Sequence, residues 1–385
     1  MFIARGNLTH ASPDAEKNFE KRCLFELDVP SYKGTTMATQ LTDTCLKVLS
    51  LDMNFEGVPT DYATHGIHSF AAKFPPQLPR IFIEHLTEPG DVVLDPMVGS
   101  GTTLVECLLL GRVGIGVDID PLAVLISRCK STKIDSSKFL KAADFVCRKA
   151  LAELSKHSPL FGGNWGKVWE DISTRFDKET REFIGYWFKP ETSVELFHLT
   201  NAIESGEFDD DVKVALKVAL SSLIITKSGG VSLARDLAHS RPHKDSSKKV
   251  GSAVALFKSK SLEVAQAFAE LPNDGFCEVI EGDARRLPIE DGTVDLIVTS
   301  PPYAIAIDYV RAHKFSLVWL GYRISELSEL KGAYIGTEKK HRRFSKVGVP
   351  EVDEFCAKLV ESAGDRGSLV AKYFSDMRET LSEMR

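Results

Sequence analysis

The sequence lacks the features that most readily assign a chain to a class. Its seven cysteines, at positions 23, 45, 107, 129, 147, 277 and 356, form no C-x-x-C pair. An odd, scattered set argues against a disulfide framework and for buried thiols in a reducing compartment. No run of eighteen or more apolar residues occurs, and "MFIARGNLTH" holds no apolar core of signal-peptide length. Neither a membrane partner nor an export signal is therefore expected, and the expected location is cytoplasmic. The first sixty residues or so also hold no repeat and no low-complexity run. What remains, 385 residues with 43% apolar and 26% charged side chains, is the composition of a globular protein with one large domain or two smaller ones.

A basic excess is missing too: the net charge is -6, which by itself weighs against a nucleic-acid partner. Distribution matters more than the sum. Between Lys227 and Lys260 eight Lys or Arg stand against Asp236 and Asp245, a local balance of +6. A second basic run, "EKKHRRFSK", spans Glu338 to Lys346. Either run reads as a solvated loop unless nucleic-acid chemistry appears elsewhere.

The organised part begins near residue 61. "QLPRIFIEHL" has helical spacing, "DVVLD" is a short apolar strand, "TTLVECLLLG" a helix ended by Gly111, and "VGIGVDID" a second strand before the helix "PLAVLISRC". Strand, glycine turn, helix and strand make one βαβ unit, which requires a parallel sheet. "CEVIEGDARRLP" reads as a third strand ending at Gly282-Asp283, and "VDLIVTSPPY" as a fourth. Two prolines have no amide hydrogens to give a sheet and bias Ser300 away from helix, so this strand stops at a rigid corner. The long stretch from about residue 131 to 276 separates the second and third strands, far more than a crossover needs. "FDKETREFIGYWFKPETSVELFHLTNAI" and "VKVALKVALSSLIIT" have helical periodicity there, and "SGGVSLARDLAHSRPHKDSSKKVG" reads as a basic connector.

The glycine turn "DPMVGSGTT" has no third glycine for a dinucleotide loop and no lysine for a phosphate loop. A ligand without phosphates is implied. Gly99 and Gly101 permit close backbone approach, and the free amides of the helix starting at Thr102 face the ligand. Asp118, ending the second strand, stands where an acidic side chain accepts both hydroxyls of a ribose, while Asp120 before Pro121 suits a helix cap. Asp95 to Gly101, Asp118, Asp283 and Ser300 to Tyr303 all fall at carboxyl ends of inferred parallel strands, where an open α/β sheet binds ligands.

Taken in order, "DPMVGSGTT", "GVDIDP", "GDARRLP" and "TSPPY" resemble the S-adenosylmethionine-dependent DNA amino-methyltransferases, and the Ser-Pro-Pro-Tyr form resembles those acting on the N4 amine of cytosine. "HSFAAKFPP" resembles the family's additional cofactor-binding segment. The resemblance implies an α/β fold, a Rossmann-like methyltransferase sheet with a mainly helical insertion between its second and third strands. The expected division is an N-terminal segment 1–60, a cofactor-binding part 61–130, an insertion 131–276 with the DNA-contacting region, and a catalytic part 277–385.

The resemblance assigns Phe70, Pro75, Asp95, Met97, Gly99, Gly101, Thr102, Asp118 and Asp283 to S-adenosylmethionine, with Asp118 on the ribose and Asp283 on the adenine amine. Met97 departs from the commoner aromatic, although a thioether fills the same apolar contact. Ser300, Pro301, Pro302 and Tyr303 are the expected catalytic residues. The Ser300 hydroxyl and Pro301 carbonyl accept hydrogen bonds from the target amine, and Tyr303 stacks on a base rotated out of double-stranded DNA. No metal is needed. Lys227, Arg235, Arg241, His243 and Lys244 are expected on DNA phosphates, and Arg311 and His313 near the base.

The same geometry would serve adenine N6, and the motifs also admit a structured RNA or an inactive, DNA-binding relative. After Tyr303 the sequence offers no further β-branched runs and no Pro-Gly-Gly turn. The fourth strand is thus expected to be an open edge with its C-terminal strands missing, filled by a second polypeptide of a split enzyme. The competing expectation is that "RCLFEL" and "CLKVLSL" of the first fifty residues fold back onto it.

Overall fold

The computed structural model of the chain describes residues 2–5, 44, 46–157, 166–226, 230–235, 242–304, 308–337 and 346–385. Lys227, Arg241, the run "RCLFEL" and residues 338–345 lie outside the described residues.

Strand β1 (Phe2–Arg5) is followed by helix α1 (Gln77–Leu86), β2 (Val92–Asp95), α2 (Thr102–Leu109), β3 (Val113–Asp118) and α3 (Pro121–Lys130). The βαβ unit forms where the apolar runs and the glycine turn place it. β2 pairs in parallel with β3, Val92 opposite Val113 and Asp95 opposite Gly116. α1 buries Phe82, Ile83 and Leu86 against Val93, Leu296 and Val298 of the sheet. Its apolar positions recur three and four residues apart, which lines one face of a helix.

The stretch after α3 is helical: α4 (Ser136–His157), α5 (Gly166–Arg175), α6 (Lys178–Trp187), α7 (Pro190–Ser205) and α8 (Asp210–Ile224). The run from Phe176 to Ile203, which reads as one helical stretch, breaks at Phe188 and Lys189, whose extended backbone precedes Pro190. A short antiparallel pair, β4 (Ala234–Arg235) and β5 (His243–Lys244), comes before α9 (Ala253–Ala269). The expected solvated connector is partly packed instead. Val231, Leu233 and Ala234 are buried, and the Lys248 amine donates to the carbonyls of Ser232 (2.7 Å) and Ala234 (3.0 Å). The insertion's core is continuous with the sheet's helical layer, from Val105 and Leu122 through Phe139, Val194 and Phe257 to Trp319.

β6 (Cys277–Glu281) and β7 (Leu296–Thr299) complete the sheet. They precede α10 (Tyr309–Leu317), α11 (Ile324–Leu330), α12 (Pro350–Ala363) and α13 (Asp365–Met384). The sheet has five strands in the order β1-β7-β2-β3-β6. β7, β2, β3 and β6 run parallel, and β1 runs antiparallel along the outside of β7, Phe2 opposite Thr299. The expected open edge at β7 is therefore occupied. The occupant is "FIAR", not the "CLKVLSL" run, whose Val48 instead packs with Phe82, Ile83 and Leu296. The chain leaves β2 in one direction for β3 and β6 and in the other for β7, so the order reverses at β2. That reversal opens a crevice at the carboxyl ends of the strands.

Candidate active site

A cleft, open to solvent, fills this crevice. Its wall combines the glycine loop, the ends of β3, β6 and β7, the segment 70–74 and residues 333–335.

The glycine loop owes its shape to two residues. Gly101 caps α2 with φ +77°, and a Cβ there would lie 2.8 Å from the Ser127 Cα on α3. Only glycine allows both the left-handed backbone and that approach. Gly99, at φ +50°, lies against the Phe70 ring, so the loop and the 70–74 segment close on each other. Ala72 in that segment also has a left-handed backbone, φ +55°, costly for a residue with a Cβ and of the kind concentrated at binding sites. Glu106, fully buried on α2, ties together the chain on either side of that segment. Glu106 accepts from Tyr62 Oη (2.6 Å) and Arg80 (3.0 Å) and lies 2.7 Å from His65 Nε2.

Asp118 accepts from the Gly99 amide at 2.8 Å and the Asp120 amide at 2.9 Å. Burial, with Asp120 close by, pushes its carboxyl up to about 7. Asp120 takes the capping role, accepting from the amides of Leu122 (2.8 Å) and Ala123 (3.2 Å). Burial works against its charge, but His313 holds its carboxyl below the usual value. Asp95 lies beneath the loop, where its carboxyl accepts from Thr103 Oγ1 at 2.7 Å and burial raises it to about 6.

Phe70, Met97, Gly99, Thr102, Asp118, Asp283, Ser300, Pro301, Pro302 and Tyr303 line the cavity as expected. Pro75, Asp95 and Gly101 do not: Pro75 accepts the Leu78 amide at the start of α1, and the other two shape the loop from behind. Tyr303 is 59% exposed at the mouth, free to receive a flat ring. His313, expected near the base, is buried instead. Its Nδ1 lies 2.6 Å from Asp120 Oδ2, and its ring packs on Phe70 with centroids 5.2 Å apart. Arg311 pairs with Asp308 at 3.3 Å. Arg235 pairs with Asp245 (2.6 Å), and Lys244 sits 4.2 Å above the Tyr186 ring.

Sequence reading missed Lys73, Tyr309 and Tyr334, all in the wall. Lys73 stands within "HSFAAKFPP" and Tyr309 within "IDYVRAHKFSLVWLGY", the segment expected over the mouth of the site, so their signals were present; Tyr334 carries none.

These raised carboxyls set a pH dependence. Asp118 keeps its proton to about pH 7 when folded against an ordinary value of 3.8. Its contribution to stability is therefore full at low pH and is lost as pH rises from about 4 to 7. Asp118→Asn should flatten the fall in unfolding free energy across that window by at most about 1.4 kcal/mol per pH unit. Denaturant melts of both proteins between pH 4 and 8 read the difference. Parallel curves would show that burial does not hold the proton there.

The cavity suits the cofactor that the motifs imply. Asp118, Asp120 and Asp283 against a lone Lys73 match a ligand with a sulfonium, an ammonium, two ribose hydroxyls and one carboxylate. An open parallel sheet with a glycine loop that lacks a phosphate-binding lysine, and an acidic residue closing the next strand, has the layout of a nucleoside-binding site. A family described as DNA methylase, for N6 and N4 methylation, matches residues 42–128. The chain is 25% identical to the Type II methyltransferase M.MjaII of Methanocaldococcus jannaschii, over 79% of this chain and 71% of that protein. It is 26% identical to M.MvaI of Kocuria varians (72% and 62%) and 25% to M.BsoBI of Geobacillus stearothermophilus (64% and 50%). No solved structure matches significantly. The chain is thus similar, most clearly over residues 42–128, to the N4/N6 DNA amino-methyltransferases, whose methyl donor is S-adenosylmethionine. It spans about half to seven tenths of the length of these relatives.

Proposed function

We propose that the chain transfers the methyl group of S-adenosylmethionine to the N4 amine of cytosine in double-stranded DNA, at a specific sequence and in a type II restriction-modification setting. The observation that carries this reading is the Ser300-Pro301-Pro302-Tyr303 corner at the end of β7, which lines the same cavity as the glycine loop and Asp118. Bound there, S-adenosylmethionine supplies a methyl group already activated by its sulfonium. Phe70 and Met97 would hold its methionine side, Asp118 its ribose and Asp283 its adenine.

The chain's own work is positioning. An exocyclic amine conjugated to a base ring is a poor nucleophile, because its lone pair is delocalised. Accepting its two hydrogens on the Ser300 hydroxyl and the Pro301 carbonyl favours a pyramidal nitrogen directed at the methyl carbon. The proline pair keeps that carbonyl from turning back into a sheet. Tyr303 stacks on the extruded base, which is otherwise inaccessible within the duplex. With β1 along the edge of β7, this reading needs no second polypeptide there.

Nucleoside digestion and mass spectrometry of treated DNA test the base. N4-methylcytosine is the expected product; N6-methyladenine would move the assignment to the adenine branch of the family.

The hairpin of β4 and β5 with its flanking basic residues is the proposed phosphate-binding element. Neutralising Arg235, Arg241 and Lys244 together should weaken binding alike on all DNA sequences and flatten the salt slope by about 0.9 log unit for each phosphate that is no longer neutralised. Salt titrations of duplex binding measure this, and an unchanged slope would make the hairpin a connector.

A further inference from the structure

Asp283 at the end of β6 is held by one side chain. Arg285 donates through Nε to Asp283 Oδ1 (2.9 Å) and through Nη2 to Oδ2 (2.6 Å). The same guanidinium reaches two other parts of the chain: Nη1 donates to Asp376 Oδ1 on α13 (3.0 Å), and Nη2 to the Ala333 carbonyl (2.9 Å). Ala333, Tyr334 and Ile335 belong to the cavity wall. Asp376 is 9% exposed in its side chain and also pairs with Lys372, one turn away. Further along α13, Glu383 Oε1 accepts the Leu287 amide at 2.8 Å. α13 thus holds the loop that carries Asp283 at two points after it, Arg285 and Leu287, without itself lining the cavity.

We propose that Arg285 and Asp376 are positioning residues that set the cavity's selectivity for an aminopurine: Asp376 anchors Arg285, and Arg285 fixes the direction of the Asp283 carboxylate and of the 333–335 wall beside it. The proposal rests on the reading of the cavity as the S-adenosylmethionine site. A buried ion pair is weak evidence for stability, because desolvation offsets most of its attraction, whereas a forked guanidinium does fix a carboxylate's orientation. A carboxylate so held offers only acceptor atoms. The amine of adenine donates to it, while a hypoxanthine ring would set its own oxygen against it. Released from Arg285, the carboxylate can turn toward water, and the distinction fades. The C-terminal helix thereby acts on the cofactor's base from outside the cavity.

The test is calorimetric binding of S-adenosylhomocysteine and its inosine analogue, S-inosylhomocysteine, to the full chain. The wild type should prefer the adenosine form by about tenfold or more, the worth of one charge-assisted hydrogen bond. Asp376→Ala should bring the two affinities to within about threefold by weakening only the adenosine form, and Asp376→Glu should restore the preference. Arg285→Lys, which keeps the charge but loses the fork, should behave as Asp376→Ala does and carries the test if that variant does not fold. Equal weakening of both ligands, or an unchanged ratio, would make the network structural only and overturn the proposal. A wild type that binds the two ligands equally would also overturn it, leaving the cofactor reading intact. A wild type that binds neither would remove both.

Discussion

At pH 8, where its carboxyl is ionised, Asp118→Ala is expected to lower affinity for S-adenosylmethionine by about a hundredfold or more, since two charge-assisted hydrogen bonds at about 1.5–3 kcal/mol each are removed. Among the described residues, the carboxyl accepts hydrogen bonds from the amides of Gly99 and Asp120. Its remaining lone pairs are therefore available to the ribose hydroxyls. The Gly99 amide also loses its acceptor, so the glycine loop loosens at the point where it faces the ligand. Calorimetric titration reads the effect directly. An affinity within about threefold of wild type would remove Asp118 from the ribose site.

Tyr303→Ala and Ser300→Ala are expected to show the opposite pattern, with cofactor affinity kept and methyl transfer reduced on the order of ten- to a hundredfold. For Tyr303 the change removes stacking on the extruded base, worth about 1–3 kcal/mol. Because the side chain is 59% exposed, its removal leaves no cavity in the core. For Ser300 the loss is one acceptor for the amine, and with it the alignment of the nitrogen. Single-turnover rates beside cofactor binding measure the split. A collapse of cofactor affinity with turnover per bound cofactor unchanged would show that the corner belongs to the cofactor alone.

The parts of the fold legible in the sequence are those made by neighbours along the chain. β2, α2, β3 and α3 follow from apolar runs, a glycine turn and the Asp120-Pro121 start of a helix, all within about forty residues. β7 ends where two prolines require it to end. β1 was not legible. Four residues carry no period, and their partner is almost three hundred positions away, so only the assembled sheet shows what covers β7. The same holds for His313. On the helix after the corner it looks like a residue for the base, but its neighbour Asp120 belongs to a strand end nearly two hundred positions earlier. Arg285 beside Asp283 was visible in "GDARRLP", whereas Asp376, which gives the pair its anchor, was not. The candidate site was thus readable where a motif holds all the interacting residues, and hidden where two distant segments share them.

A pulse-chase separates catalysis from binding alone. The chain is loaded with S-adenosylmethionine labelled in the methyl group, mixed with an excess of unlabelled cofactor and a panel of duplex DNA and structured RNA, and the label is followed for one turnover. The account predicts that label passes into a DNA base, at a rate that falls in Ser300→Ala and Tyr303→Ala. Label that stays with the bound cofactor in the presence of every DNA, or that passes only into RNA, would contradict it.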